Sequence, residues 1–126
     1  MTRFGKQVAS VLDGVKYLYV RSGAEHRFVA VWVVVVQGRA IVRSWNDKPA
    51  GWYRAFLREP HGTLRLGSEE VPIRAVAVKS ARLNDLADDA YATKYTTKAN
   101  RKYVRGFATA TRRKTTLELV PRPSSS

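Results

Sequence analysis

The segment Phe28–Trp45, FVAVWVVVVQGRAIVRSW, decides the fold. Its first nine residues, Phe28 to Val36, do not alternate between apolar and polar side chains. Successive side chains of a strand point to opposite faces, so a run of this kind needs both faces covered. The run therefore predicts a central strand, one face in a barrel interior and the other against a helix or a partner subunit. Gln37-Gly38 then predicts a tight turn into a third strand, Ala40 to Trp45.

Upstream, Val15 to Val20 (VKYLYV) reads as a strand, and Arg21 to His26 supplies turn chemistry, making a hairpin with the long strand. Phe4, Val8, Val11 and Leu12 recur at helical spacing and stop at Asp13-Gly14, which predicts a helix over residues 3–12. Downstream, Asp47 can cap a helix, Pro49 suits its first turn, and Trp52, Phe56 and Leu57 form its inward face before Pro60 ends it. Residues 61–66 and 71–78 predict a second hairpin across residues 67–70, with Ile73, Ala75 and Ala77 on one face and Arg74, Val76 and Val78 on the other. A helix follows over residues 83–95, with Asn84, Asp85, Asp88 and Asp89 near its positive end. Residues 100–114 suit either a short helix or a basic loop, residues 115–120 alternate as a final strand, and residues 122–126 read as a disordered tail. The pattern predicts one domain over residues 1–121, mainly β with inserted helices: six antiparallel strands in a closed or partly closed barrel.

The net charge of +13, from 23 basic and 10 acidic residues, points to an anionic partner or a solubilising surface. Residues 90–126 carry nine of the basic residues and only the acid Glu118. The chain has no cysteine and two histidines, His26 and His61, which excludes disulfides and thiolate sites and predicts no metal. The opening MTRFGKQVAS lacks the apolar core of a signal peptide, and the nine-residue apolar run is far below the roughly 18 residues that span a bilayer. A cytoplasmic protein with no membrane partner is expected.

The segment WYRAFLREPHGTLRLG, preceded by VVVVQGRAIVRS, resembles the flavin- and deazaflavin-binding split-barrel superfamily, which includes the pyridoxamine-phosphate-oxidase-like proteins. It is most similar to the deazaflavin-dependent nitroreductase branch and its short bacterial members of unassigned function. That branch carries a Trp-Tyr-x-x-Leu-x-x-x-Pro helix, matched here by Trp52, Tyr53, Phe56, Leu57 and Pro60. Its first-hairpin turn, Gly-Arg-x-Ser/Thr-Gly, is represented only by Arg21-Ser22-Gly23. The resemblance implies a six-stranded antiparallel split β-barrel, a homodimer, and FMN or deazaflavin as cofactor for an oxidoreductase working by hydride transfer. It places the cofactor contacts at Arg43, Ser44, Trp45, Asn46, Lys48 and Trp52, and a substrate-side tyrosine at Tyr103. A helix N-terminus with Lys and Arg beside it is a sound phosphate site, because free N–H groups and full charges act together.

Plainer readings compete. Trp52, Phe56 and Leu57 also read as core, Arg43, Ser44 and Lys48 as a solvated rim, and Arg74 as an outward strand residue. His26 and His61 have no partner acid or nucleophile at triad spacing, and Asp85, Asp88 and Asp89 suit a helix start better than a metal site. The run from Lys94 to Lys114 interleaves Tyr95, Tyr103 and Phe107 with cations, so a non-enzymatic barrel binding nucleic acid or another polyanion is the alternative function.

Overall fold

The computed structural model describes residues 4–122. The elements run α1 (Lys6–Gly14), β1 (Tyr17–Ser22), β2 (Val29–Val36), β3 (Arg39–Val42), α2 (Trp52–Arg58), β4 (His61–Leu66), β5 (Glu69–Ala77), α3 (Ala81–Lys94), α4 (Lys98–Phe107), α5 (Ala110–Arg113) and β6 (Leu117–Pro121). All strand pairs are antiparallel and close into a barrel in the order β1-β2-β3-β6-β5-β4.

The two-faced reading of β2 holds, and the cover of its second face is helical. Val31 and Val33 point inward with Leu18, Val20, Val42, Leu64, Ile73 and Leu117. Val34 and Val36 point outward, with Ile41, onto Leu83, Ala87 and Tyr91 of α3 and Phe107 of α4. Each such Val or Leu contributes about 1.5–3 kcal/mol by leaving water. Because α3 and α4 of the same chain cover β2, its apolarity calls for no partner subunit.

Gln37 and Gly38 take φ of 52° and 77°, the positive pair that a two-residue type I′ turn requires. Strand β6 closes the barrel: Leu119 pairs with Ala40 on one side and Ala75 on the other, so small residues flank the large one. Phe4, Val8 and Leu12 add to the interior at one end. At the other end Phe56 of α2 is buried, and Ser22 Oγ lies 2.9 Å from Ala55 O and 2.7 Å from Glu59 O, pinning β1 to that helix.

Several expected boundaries move, each for a local reason. Helix α1 extends to Gly14, with the Val15 N–H bonded to Val11 O, and residue 3 of the expected helix lies outside the described residues. Strand β3 stops at Val42 because Arg43 turns under α3 and α4. Asp47 does not cap α2; Gly51 does, and Asp47 pairs with Arg54 at 2.5 Å. Leu57 is 46% exposed instead of inward, since a helix of seven residues buries one narrow face, here Ala55 and Phe56. Arg74 is exposed and Ile73 and Ala75 are buried, as the alternation requires. The basic stretch is helical, split into α4 and α5. Of the expected tail, Arg122 donates its backbone N–H to Pro72 O at 2.9 Å, and residues 123–126 lie outside the described residues.

Two devices fasten the helical layer to the barrel. Pairing of β1 with β2 ends at Tyr17 and Trp32, which leaves the Val33 backbone to be satisfied from α3. The Tyr95 hydroxyl accepts from Val33 N at 3.1 Å and donates to Lys16 O at 2.7 Å, while Lys94 Nζ donates to Val33 O at 2.6 Å and Leu12 O at 3.0 Å. The second device is Arg43, whose side chain is completely enclosed. Its Nε donates to Thr116 Oγ1, one terminal nitrogen to Asp88 Oδ1 and Phe107 O, and the other to Asn84 O and Oδ1, over distances of 2.5–3.1 Å. All five guanidinium N–H groups thus have protein acceptors.

Replacing Arg43 by Met leaves those acceptors unpaired in the interior. A loss of about 3–5 kcal/mol in urea-unfolding free energy is expected; a loss under 1 kcal/mol would show that the network is dispensable. Burial raises the Tyr95 phenol from 10.0 to about 12 and pushes the Tyr91 phenol up further still. The unfolded chain therefore ionises first, so stability is level below the unfolded value of 10.0 and falls as pH rises toward 12. The Tyr91→Phe variant, monitored by urea unfolding across that range, should fall less steeply than the native chain.

Candidate functional site

The first half of β2 and the exit of β3 face α4 across a cleft of about 380 Å³. Tyr17, Ala30, Val31 and Trp32 form its barrel side, Arg43 and Trp45 the β3 side, Trp52 the α2 side, and Asn100, Tyr103 and Phe107 the α4 side. Among the described residues no acid lines it.

Trp32 stands on the outer face of β2 and stacks on Tyr95, with centroids 4.0 Å apart and planes 4° from parallel. Trp45 meets Tyr103 at 5.1 Å and Phe107 at 5.4 Å, both edge to face, the arrangement that the ring quadrupoles favour. Trp45 also packs against Gly106 of α4, where a Cβ would fall 2.3 Å and 2.5 Å from two indole carbons. Only glycine permits that approach.

Cations stand over the exposed rings. Tyr17, Trp45 and Tyr103 are 48%, 38% and 40% exposed. The Lys16 ammonium lies 5.3 Å from the Tyr17 centroid, the Arg112 guanidinium 3.6 Å from Trp45, and the Lys102 ammonium 5.1 Å from Tyr103. Arg112 is further held by its Nε donating to Trp45 O at 2.7 Å.

Of the residues singled out from sequence, the structure brings Arg43, Trp45, Trp52 and Tyr103 to this cleft. Arg43 forms wall only, since its five donors serve the protein. Ser44 is buried, donating its hydroxyl to Asn46 O, with its own N–H donated to Thr115 Oγ1 at 2.9 Å. Asn46 accepts from Lys48 N at 3.3 Å, and neither residue lines the cleft. Lys48 is exposed and packs beside Gly51, the residue before Trp52. His61 is exposed on β4, and the described residues contain no cluster of three potential metal ligands. No helix among them is long and apolar enough to cross a membrane.

Trp32 and Asn100 were not evident from sequence as site residues, whereas Phe107 and Arg112 fell in the basic, aromatic run read there as a polyanion surface. Trp32 had a signal: it shares the outer face of β2 with Val34 and Val36, so it had to meet whatever covered that face. Asn100 carried none without the path of α4.

A family model described as an uncharacterized protein conserved in bacteria (DUF2255) matches residues 15–119. The chain belongs to that family. No curated protein matches it. Among solved structures, the conserved hypothetical protein Rv2991 from Mycobacterium tuberculosis is similar, with a TM-score of 0.61 at 12% identity over 94% of this chain and 80% of that one. At that identity the likeness is one of fold. The match to the family begins at Val15 and ends at Leu119, so it takes in β1 to β5, β6 as far as Leu119, and the α2 and α4 that line the cleft.

The contact of Trp45 with Gly106 can be checked directly. Gly→Ala within a helix otherwise stabilises by about 0.5–1 kcal/mol. Gly106→Ala is expected to forfeit that gain and to change the near-ultraviolet circular dichroism of the tryptophans; increased stability with an unaltered spectrum would show that the two groups do not touch.

Proposed function

We propose that the chain binds a planar, conjugated, anionic ligand in the aromatic cleft, and that this ligand is a flavin or deazaflavin serving an oxidoreductase. One observation carries the reading: the three exposed wall rings, Tyr17, Trp45 and Tyr103, each have a cation over them, and the wall has no acid. Aromatic faces take a flat ring, and the cations Lys16, Lys102 and Arg112 take charge that projects from it. The cleft falls within the range of about 300–1,000 Å³ usual for small-molecule sites.

Such a cofactor supplies hydride transfer when bound. The protein's own part is to stack the ring against Trp45 and Trp52, to exclude water with Trp32 and Phe107, and to attract the anionic tail. Lys48, exposed next to the Trp52 end, is the phosphate partner in this reading, and Arg43 acts only by holding the wall. Tyr103 lies at the open side, where its phenol can orient a substrate. A homodimer belongs to the same reading and is supported by Tyr17 and Tyr19, each nearly half exposed on the outer face of β1.

A second reading is favoured by α4, whose Lys98, Arg101, Lys102 and Arg105 have no ion-pair partner among the described residues. A cationic helix beside exposed rings is also a platform for single-stranded nucleic acid.

Fluorescence titration with FMN, riboflavin and a deazaflavin separates the two. Micromolar quenching is expected, weakened about tenfold by Trp45→Ala, since removing a stacking ring costs about 1–3 kcal/mol. Arg112→Gln should weaken FMN more than uncharged riboflavin. Lack of binding by all three, with salt-sensitive oligonucleotide binding that is lost when Lys98, Arg101, Lys102 and Arg105 are neutralised together, would replace the first reading with the second.

A further inference from the structure

Asn100 is 9% exposed and lines the aromatic cleft from the first turn of α4. Its backbone N–H is used, donated to Thr97 Oγ1 at 3.2 Å. Its carboxamide makes no hydrogen bond with any described residue. Thr97 and Asn100 have the spacing at which the later side chain can bond back to the N–H of the capping residue, yet that reciprocal bond is absent. The carboxamide is not sealed from solvent, so at the cleft wall its donors and acceptor are free to pair with whatever enters.

The surroundings narrow what completes it. Asn100 stands in a wall shared by the cleft and a second recess of about 360 Å³ under α1, lined by Asp13, Lys16, Lys94 and Thr97. That recess already has strong polar groups of its own. On the cleft side the neighbouring lining side chains Trp32, Tyr103 and Phe107 are aromatic, which makes the carboxamide the polar group in that part of the wall. A carboxamide presents one donor and one acceptor side by side. Its complement is a flat group carrying an acceptor and a donor in the same order, the CO–NH edge of an amide or imide ring.

We infer that Asn100 selects the ligand by pairing with a CO–NH edge of its ring. This rests on the cleft binding a planar ring as proposed above and adds which edge of that ring faces α4. The ring lies between Trp45 and Trp52 with its amide or imide edge toward Asn100, and its charged tail leaves toward the cations at the mouth. A flat anion without such an edge leaves the carboxamide unpaired and binds less well.

The test compares lumiflavin, whose imide N–H is free, with 3-methyl-lumiflavin, in which a methyl group blocks it; neither carries a phosphate. The native protein should bind lumiflavin about tenfold more tightly, the effect of one well-formed buried hydrogen bond, and Asn100→Leu should bring the ratio close to one. Equal binding of the two compounds by the native protein overturns the inference while leaving the cleft reading intact. Discrimination that survives Asn100→Leu shows that another group reads the edge and equally overturns it. If neither compound binds, the cleft reading fails and the inference fails with it. The native ratio stands by itself should the variant not fold.

Discussion

The enclosed guanidinium of Arg43 is the constraint on which the rest of the structure depends. A charge taken out of water is tolerated only when it is paired and its donors are satisfied. Here that demand is met by four residues of three separate elements: Asp88 and Asn84 from α3, Phe107 at the end of α4, and Thr116 at the entry to β6. The side chain therefore fixes where α3 and α4 lie on the barrel, and those helices in turn cover β2. Thr116 Oγ1 also donates to Asn84 Oδ1 at 2.8 Å, so the acceptors are tied to one another as well as to the arginine. The cleft inherits its shape from the same network. Phe107 O is one of the acceptors, and Trp45 follows Arg43 by two residues, so both rings of that wall are positioned by one ion.

Much of the barrel was legible in the sequence, and the reason is periodicity. Residues 28–36 could be satisfied only by a strand with two dry faces, and Gln37-Gly38 forced the turn that follows. The boundaries were less legible, because they depend on groups far away in the chain. Nothing local ends β3 at Val42; Asn84, Asp88 and Phe107 end it by drawing Arg43 out of the ladder.

The candidate site was legible only in part, and Arg43 shows why. Arg43 stands at a strand end, before a loop and beside Ser44 and Lys48, which is the pattern of a phosphate contact. By alternation, however, it shares the face of Ile41, and that face is the one α3 and α4 cover. A cation on a covered face has to be answered from within, and Asp88, which from sequence suited only a helix start, is its counter-ion. The aromatic wall was half visible for a related reason. Trp45, Trp52 and Tyr103 stood out as aromatics among cations, whereas Trp32 was hidden within an apolar run and Asn100 within a basic one.

The distribution of the ten acids explains why an excess of positive charge collects beside the cleft. Asp85 and Asp88 serve Arg113 and Arg43, Asp47 serves Arg54, Glu70 serves Arg65 and Glu118 serves Arg39. Helix α4 has no acid of its own and receives none from the described residues, so among them Lys98, Arg101, Lys102 and Arg105 face solvent without counter-charges. Over a Debye length of roughly 8 Å at physiological salt these charges act together on anything near the cleft mouth. Arg112 differs from them in kind, because its stacking on Trp45 and its bond to Trp45 O hold the charge in one place. The exposed cations of α4 draw an anion in by long-range attraction that salt screens. Arg112, fixed against the ring, then acts at contact range, so attraction and placement are carried by different residues of the same basic segment.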